Sequence, residues 1–205
     1  MSGDLREPTV QVIDDDVTVR RGISLLLGEA GIAAYGYASA LDFLDSAHEV
    51  GPGCIITALR MPEIDGFELM TQLKARGVRT PVIMISGYGD VPMAVQAMRA
   101  GAQNFIEKPL NGPRLLAAVR DAINSDARAT RDPVAEQGVS GLLTMLTPRE
   151  ADVLHGVVAG KANKLIAREL GISPRTVEAH RAGVMAKTGA SSVPALVRLA
   201  LSAGV

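Results

Sequence analysis

Short apolar segments alternate with helical patterns through the first 125 or so of the 205 residues, and this alternation most constrains the fold. Most of these segments are rich in Val and Ile and carry no charge. Strands of this kind are buried on both faces, and a helix between successive strands is typical of parallel sheets. We therefore predict an α/β domain built on a doubly wound parallel sheet of five strands. The predicted strands are Thr9–Ile13, Ala33–Tyr37, Cys54–Thr57, Pro81–Ile85 and Asn104–Glu107, and the predicted helices are Val17–Ala30, a segment capped by Ser39, Phe67–Ala75, Met93–Ala100 and Leu110–Ile123.

A second, all-helical pattern begins at Thr147. Thr147-Pro148-Arg149-Glu150 is a capping box with proline at the first helical position, which is a strong helix-start signal. Gly171 makes a tight turn before a helix that starts at Ser173-Pro174. Four short helices with such a turn predict a helix-turn-helix module. We expect a first domain over residues 8–125, a linker over 126–141, into which the fifth helix of the first domain can extend, and a second domain over 142–205.

Charge and composition narrow the class of protein. The net charge is −1, yet Lys and Arg outnumber Asp and Glu from Thr147 onward, while the preceding part is acidic. Such asymmetry indicates a nucleic-acid-facing module attached to an acidic partner domain. The single cysteine, Cys54, excludes an intramolecular disulfide and fits a reducing compartment. No apolar run reaches the roughly 18–20 residues that span a bilayer, so we expect a soluble cytoplasmic protein.

Polar residues follow three of the predicted strands, at the edge where parallel sheets place their active groups. Asp14 and Asp15 follow the first strand, Ser86 the fourth and Lys108 the fifth. Two carboxylates are suitable ligands for Mg²⁺, and the backbone carbonyl of Arg60 can supply a further oxygen. An acidic pair, a hydroxyl and a lysine are together suited to phosphoryl transfer, which depends on positioning and charge stabilisation.

Four of the motifs in this chain resemble the receiver domain of bacterial two-component response regulators: VIDDD, LRMPEIDG, MISGYGD and FIEKP. The run GYGDVPMAVQAMRAGAQNFIEKPL is similar to that of the FixJ-type subgroup. The resemblance implies a CheY-like fold, a Mg²⁺ cofactor, and Ser86, Phe105 and Lys108 as the residues that sense a phosphoryl group. It also implies that a sensor histidine kinase is the phosphoryl donor and that the chain is not an enzyme.

The position of the expected phosphoacceptor departs from this family. The acceptor aspartate of such receivers lies three residues before the Met-Pro pair, and here that residue is Ala58. A methyl group is neither a nucleophile nor a metal ligand, so we expect no aspartyl phosphate, weakened Mg²⁺ binding, and the loss of the nearest counter-charge of Lys108. Natural degeneration and a deliberate Asp→Ala substitution both remain open. Because Asp14, Asp15, Ser86 and Lys108 are all retained, substitution is favoured.

The C-terminal segment NKLIARELGISPRTVEAHRAGVMAKTGASS resembles the LuxR/NarL-type DNA-binding domain. A recognition helix of this type enters the major groove by its N-terminal residues. Because one such helix reads few bases, we expect a homodimer on two half-sites of double-stranded DNA. We expect Glu178, Ala179 and Ala182 to face base edges, and Lys164, Arg175, Thr176, Arg181 and Lys187 to bind phosphates.

The combined pattern predicts a two-component transcriptional response regulator. In a parent with aspartate at position 58, phosphorylation would drive dimerisation and DNA binding; the present chain would be an inactive monomer. RNA polymerase is a further candidate partner, no membrane contact is expected, and the resemblance implies nitrogen-fixation or microaerobic target genes. The alternative is a constitutive DNA-binding regulator with a degenerate pseudo-receiver. A phosphatase-like enzyme of the haloacid-dehalogenase type fails for want of a nucleophile and a substrate cap.

Overall fold

The computed structural model describes residues 7–46, 51–87, 91–129 and 145–205. The predicted strands and helices of the first domain are present. About half of their ends coincide with the prediction, and the others are shifted by one or two residues, except for the end of the last helix. The strands are β1 (Thr9–Ile13), β2 (Ala33–Tyr37), β3 (Gly53–Ala58), β4 (Val82–Ser86) and β5 (Asn104–Glu107), and the helices are α1 (Val17–Glu29), α2 (Ala40–Ser46), α3 (Gly66–Ala75), α4 (Val91–Ala100) and α5 (Gly112–Ala129).

The five strands form one parallel sheet in the order β2-β1-β3-β4-β5. This order reverses direction at β1, which is the topological feature of doubly wound sheets and the place where they carry their sites. The prediction of a doubly wound five-stranded parallel sheet is therefore confirmed. β3 lies in the middle and is buried along its whole length, which explains why its sequence shows no polar alternation.

Apolar side chains from β1, β3 and β4 pack against α1 and α5 on one side of the sheet. Val12, Ile56 and Ile83 from the strands are fully buried, as are Leu27 from α1 and Val119 from α5. Close packing of this kind fixes the strands laterally and so fixes the positions of the residues that follow them.

Residues 145–205, the described part of the C-terminal unit, contain four helices: α6 (Pro148–Val158), α7 (Asn163–Leu170), α8 (Pro174–Thr188) and α9 (Val193–Ser202). Thr147 and Glu150 form the predicted capping box at the start of α6. Gly171 adopts φ +65° and ends α7 in the left-handed conformation, which glycine accepts without steric cost. The core of this unit includes Leu154, Val158, Val184, Leu196 and Ala200. The helix-turn-helix prediction is confirmed.

α5 ends later than its predicted bound, as the sequence allowed. α5 continues to Ala129, beyond the predicted end at Ile123, so it occupies the first residues of the segment assigned to the linker. The remainder of that segment, residues 130–141, lies outside the described part of the chain, as does the expected start of the second domain at residue 142. Within the described ranges, no helix has both the length and the apolar character that a bilayer crossing requires.

Candidate functional site

The carboxyl edge of the sheet brings together the residues that the sequence placed at strand ends. Ile13 of β1 pairs with Thr57 of β3, so Asp14 and Ala58 leave the sheet side by side. Ser86 ends β4, and its carbonyl oxygen accepts a hydrogen bond from the backbone nitrogen of Lys108 at 2.7 Å. The peptide bond between Lys108 and Pro109 is cis.

The three consecutive aspartates have different environments. Asp14 is fully buried and accepts a hydrogen bond from the backbone nitrogen of Asp16 through Oδ1 at 2.9 Å. Asp15 is exposed. Asp16 is the N-cap of α1 and accepts from the backbone nitrogen of Thr18 at 2.7 Å, and this bond lowers the pKa of the Asp16 carboxyl. Of these three aspartates, only Asp14 is buried at the edge of the sheet, while Asp16 caps α1.

Lys108 forms an ion pair with Asp14. Its Nζ lies 2.8 Å from Asp14 Oδ2, and the lysine side chain is 27% exposed while the aspartate side chain is fully buried. Breaking such a pair by removing one partner would leave an uncompensated buried charge, which is strongly destabilising. Lys108 therefore has a counter-charge although Ala58 supplies none.

Ala58 is 2% exposed at the end of the central strand. The loop that follows closes tightly over it: a Cβ on Gly66 would lie 2.7 Å from the carbonyl oxygen of Ala58, and Gly66 donates a backbone hydrogen bond to Leu59 at 2.9 Å. The Ala58 methyl group is consequently fixed beside Asp14 in the sheet, where it offers no oxygen to a ligand.

The donor set at this edge does not complete a magnesium site. Mg²⁺ is held by near-octahedral oxygen ligands. Here Asp14 is engaged by the Lys108 ammonium group, Ala58 has no donor, and Arg60 is exposed beyond the strand end. Among the described residues there is no group of three or more acidic, histidine or cysteine side chains positioned for a metal. The residues present therefore fit a bound Mg²⁺ poorly.

The two remaining residues of the expected phosphate-sensing set lie in neighbouring strands. Phe105 of β5 pairs with Met84 of β4, and Ser86 pairs with Glu107. Both Phe105 and Ser86 are 4% exposed. The sheet thus positions Ser86 at the same edge as Asp14, Ala58 and Lys108, with Phe105 two residues back from that edge along β5.

In the C-terminal unit, α8 presents one exposed face along its length. Val177 and Val184 of α8 are fully buried within this unit. The residues on the opposite face are exposed, and their spacing of three and four places them in one stripe. They are Arg175, Glu178, Ala179, Ala182 and Ala186.

Three residues that we expected to bind phosphates have partners within the domain. Thr176 shares a hydrogen bond with the Ser173 hydroxyl at 2.8 Å, at the N-cap of α8. Arg181 Nη1 donates to Asn163 Oδ1 at 2.8 Å, and burial lowers the pKa of its guanidinium group. Lys187 Nζ lies 2.6 Å from Glu150 Oε2. Lys164 and Arg175 are exposed, as is Lys187 beside its ion pair.

Glu150 is the centre of a small polar cluster. It is 7% exposed, and its Oε2 accepts from the backbone nitrogen of Thr147 at 2.7 Å, from the Thr147 hydroxyl at 2.8 Å and from Lys187. The hydrogen bond from Lys187 and then those from Thr147 lower the pKa of the Glu150 carboxyl from 4.5 to about 2. The carboxylate is charged at neutral pH and joins the start of α6 to the last turn of α8.

Because of this cluster, we expect the stability of the C-terminal unit to fall in acid. Because the pKa of Glu150 is lower in the folded chain, its contribution is fully present above its ordinary value of 4.5 and is lost as the pH falls toward about 2. We expect protection of the α6 and α8 amides against hydrogen exchange in the full chain to decline over that range. Glu150→Gln should start from lower protection at neutral pH and change less between pH 5 and 2. Equal pH dependence of the two chains would contradict the assignment.

The sequence reasoning missed Glu150 and Asn163 as partners of α8. Glu150 was identified only as half of a capping box, and Asn163 only as a helix start. A usable signal was Gly183, a glycine inside a helix, since a Cβ there would lie 2.7 Å from Glu150 Oε1 and helix-interior glycine is otherwise unfavourable. For Asn163 the sequence carried no comparable signal.

Comparison with known proteins agrees with both halves of the structure. The model of the response regulator receiver domain matches residues 10–120, and that of the bacterial regulatory proteins of the luxR family matches residues 144–200. The transcriptional regulatory protein FixJ of Azorhizobium caulinodans is 48% identical over 96% of this chain and 93% of its own length. FixJ of Rhizobium meliloti is 45% identical over 96% of each chain.

Solved structures give the same result. The crystal structure of full-length FixJ from B. japonicum has a TM-score of 0.59 and 42% identity, and the match covers 97% of this chain and 98% of that one. The structure of the response regulator StyR has a TM-score of 0.57 and 37% identity, with 96% and 99% covered. These similarities extend through both domains.

Proposed function

This chain belongs to the FixJ-type two-component transcriptional response regulators, and from that premise we propose that its receiver cannot form an aspartyl phosphate because Ala58 occupies the phosphoacceptor position. The observation that carries the proposal is the placement of Ala58: it ends the buried central strand, beside Asp14 and at the same sheet edge as Lys108. A phosphoacceptor must be a nucleophile at this edge, and a methyl group has none of the required oxygens.

We also propose which conformational and oligomeric state this chain adopts. A phosphoryl group can shift a two-state receiver only through contacts that differ between the states. Lys108 would be one such contact, and in this structure it is already bound to Asp14. We propose that the chain rests as an unphosphorylated monomer in the cytoplasm. Its parent, with aspartate at position 58, would be switched by a sensor histidine kinase through Ser86, Phe105 and Lys108, and would dimerise on DNA.

We also propose a domain organisation and a DNA surface. The receiver covers residues 8–125 and the DNA-binding domain 142–205, joined by a linker. The exposed stripe on α8 supports base reading by Glu178, Ala179 and Ala182 in the major groove. The exposed positions of Lys164 and Arg175 support phosphate contacts. RNA polymerase is the proposed partner downstream of DNA binding.

Intact mass after incubation with Mg²⁺ and acetyl phosphate tests the receiver proposal. We expect no adduct on this chain and one phosphoryl group on Ala58→Asp. Ala58→Asn is the matched control, since it restores the size of the side chain without a nucleophile, and it should remain unmodified. A phosphoryl adduct on the unaltered chain would overturn the proposal, because Asp14 or Asp15 would then be an acceptor.

The same variants test the magnesium expectation. Binding of Mg²⁺ should be weaker to this chain than to Ala58→Asp, because the substitution adds a carboxylate to the two that remain. Isothermal titration calorimetry with Mg²⁺ alone gives the comparison. Equal affinity of the two chains would show that position 58 contributes no ligand.

A second function, constitutive regulation by a pseudo-receiver, is favoured by the Asp14–Lys108 ion pair, which satisfies the edge of the sheet without phosphate. It predicts that the unmodified chain binds DNA as tightly as the phosphorylated Ala58→Asp chain. If Ala58→Asp gains no phosphoryl group, this second function replaces the first.

A further inference from the structure

The last turn of the recognition helix α8 contains a lysine whose charge is directed into the domain. Lys187 lies about 120° around the helix from Arg175, by the 3.6-residue repeat, and so it is not in the exposed stripe that Arg175 begins. Its Nζ is 2.6 Å from Glu150 Oε2, and its side chain is 37% exposed. Glu150 itself is 10% exposed at its side chain.

Backbone packing brings the two helices close at the same place. A Cβ on Gly183, one turn before Lys187, would lie 2.7 Å from Glu150 Oε1. The carboxylate therefore rests against the backbone of α8 through one oxygen and receives the Lys187 ammonium group on the other. Thr147 fixes the carboxylate from the α6 side by two hydrogen bonds.

We infer that Lys187 is a positioning residue: its ion pair with Glu150 sets the orientation of the recognition helix, and Lys187 does not bind a DNA phosphate. This inference rests on the proposed DNA surface of α8. The inference goes further than that surface, because it removes Lys187 from the set of cations expected to bind phosphates. Lys187 is assigned instead, with Glu150 and Gly183, to aligning the base-reading residues of α8. Those residues are Glu178, Ala179 and Ala182.

The slope of binding affinity against salt concentration separates the two roles. The logarithm of the association constant K falls linearly with the logarithm of the salt concentration, and removing one phosphate contact makes this slope shallower by about 0.9. On a mixed-sequence 24-base-pair duplex, we expect Lys164→Met and Arg175→Met each to lower the slope by about that amount, whereas Lys187→Met leaves it unchanged. A lowered slope for Lys187→Met would overturn the inference.

The ratio of specific to non-specific affinity measures positioning. The specific probe is a duplex that the full-length phosphorylated Ala58→Asp chain enriches from a randomised library, and the variants are compared in that chain. Lys187→Met should weaken binding to this duplex by about tenfold, comparable to one mismatched base pair, with little change on the mixed-sequence duplex. Lys187→Arg retains a cation for Glu150 and should recover most of the loss. A merely structural lysine would leave this ratio unchanged in the folded chain.

Two further variants test the partner. Gly183→Ala changes no charge, yet its Cβ displaces the Glu150 carboxylate, so it should reproduce the loss seen for Lys187→Met. In a Glu150→Gln background, Lys187→Met should have no further effect, since residues that act through one contact are non-additive. Additive losses would overturn the inference. If neither Lys164→Met nor Arg175→Met changes the salt slope, the proposed DNA surface fails instead.

Discussion

Gly53→Ala should unfold the receiver domain or leave it only marginally stable. Gly53 begins the central strand β3 with φ +142°, and a Cβ at this position would lie 1.9 Å from the carbonyl oxygen of Thr9. Backbone strain and overpacking each cost about 1–3 kcal/mol, and the obstructing atom is main chain that cannot rotate away. We expect a loss of at least about 3 kcal/mol from a domain whose total stability is of the order of 5–15 kcal/mol.

Urea unfolding of the full chain, followed by hydrogen exchange so that each domain is observed separately, measures this loss. Gly28→Ala is the matched control: Gly28 lies within α1, and nothing is within 4 Å of a Cβ built there. That variant should stabilise the receiver by about 0.5–1 kcal/mol through helix propensity. A Gly53→Ala receiver as stable as the unaltered one would show that the register of β1 with β3 is not as described.

Leu196→Ala should destabilise the C-terminal domain by about 2–5 kcal/mol, the range for deleting most of a buried leucine side chain. Leu196 lies on α9 and is 1% exposed in the core with Leu154 and Val184. An apolar pair such as Leu196 and Val197 is compatible in sequence with either a dimer face or a core. The fully buried positions of both residues favour the core.

Leu199→Ala on the same helix is the matched control, because Leu199 is only partly buried and should cost clearly less. Hydrogen exchange of the C-terminal amides gives the stability of the domain, and sedimentation velocity gives the oligomeric state. If Leu196→Ala weakens a dimer while leaving domain stability unchanged, Leu196 belongs to an interface and its placement in the core is wrong.

The architecture could be predicted because its signals are local or periodic. Apolar strands separated by helical patterns specified the parallel sheet, and the capping box at Thr147 specified the start of α6. The site edge followed from topology, since residues after parallel strands meet at one edge. We could therefore predict from the sequence that Asp14 and Lys108 lie close together, without knowing the distance between them.

The pairing of charged side chains could not be predicted in the same way. We expected Lys187 and Arg181 to bind DNA phosphates as cations of the recognition helix. Their partners, Glu150 and Asn163, lie on other helices and follow no periodic relation to them. Similarly, nothing in the sequence shows that Lys108 turns to Asp14 when position 58 has no carboxylate. Several residues of similar chemistry could pair with each of these charged groups, and the tertiary fold determines which one is within reach.

The order of strands in the sheet also has a consequence for synthesis of the chain. β1 is made first, yet it lies between β2 and β3, and its register with β3 joins Thr9 to Gly53. Sheets that depend on such distant pairings fold slowly, whereas helical domains with local contacts fold fast. Until β3 has emerged from the ribosome, the edge of β1 that will pair with β3 has no neighbouring strand. Demand for chaperones should be greatest in that interval, and the C-terminal helices, although made last, should need them least.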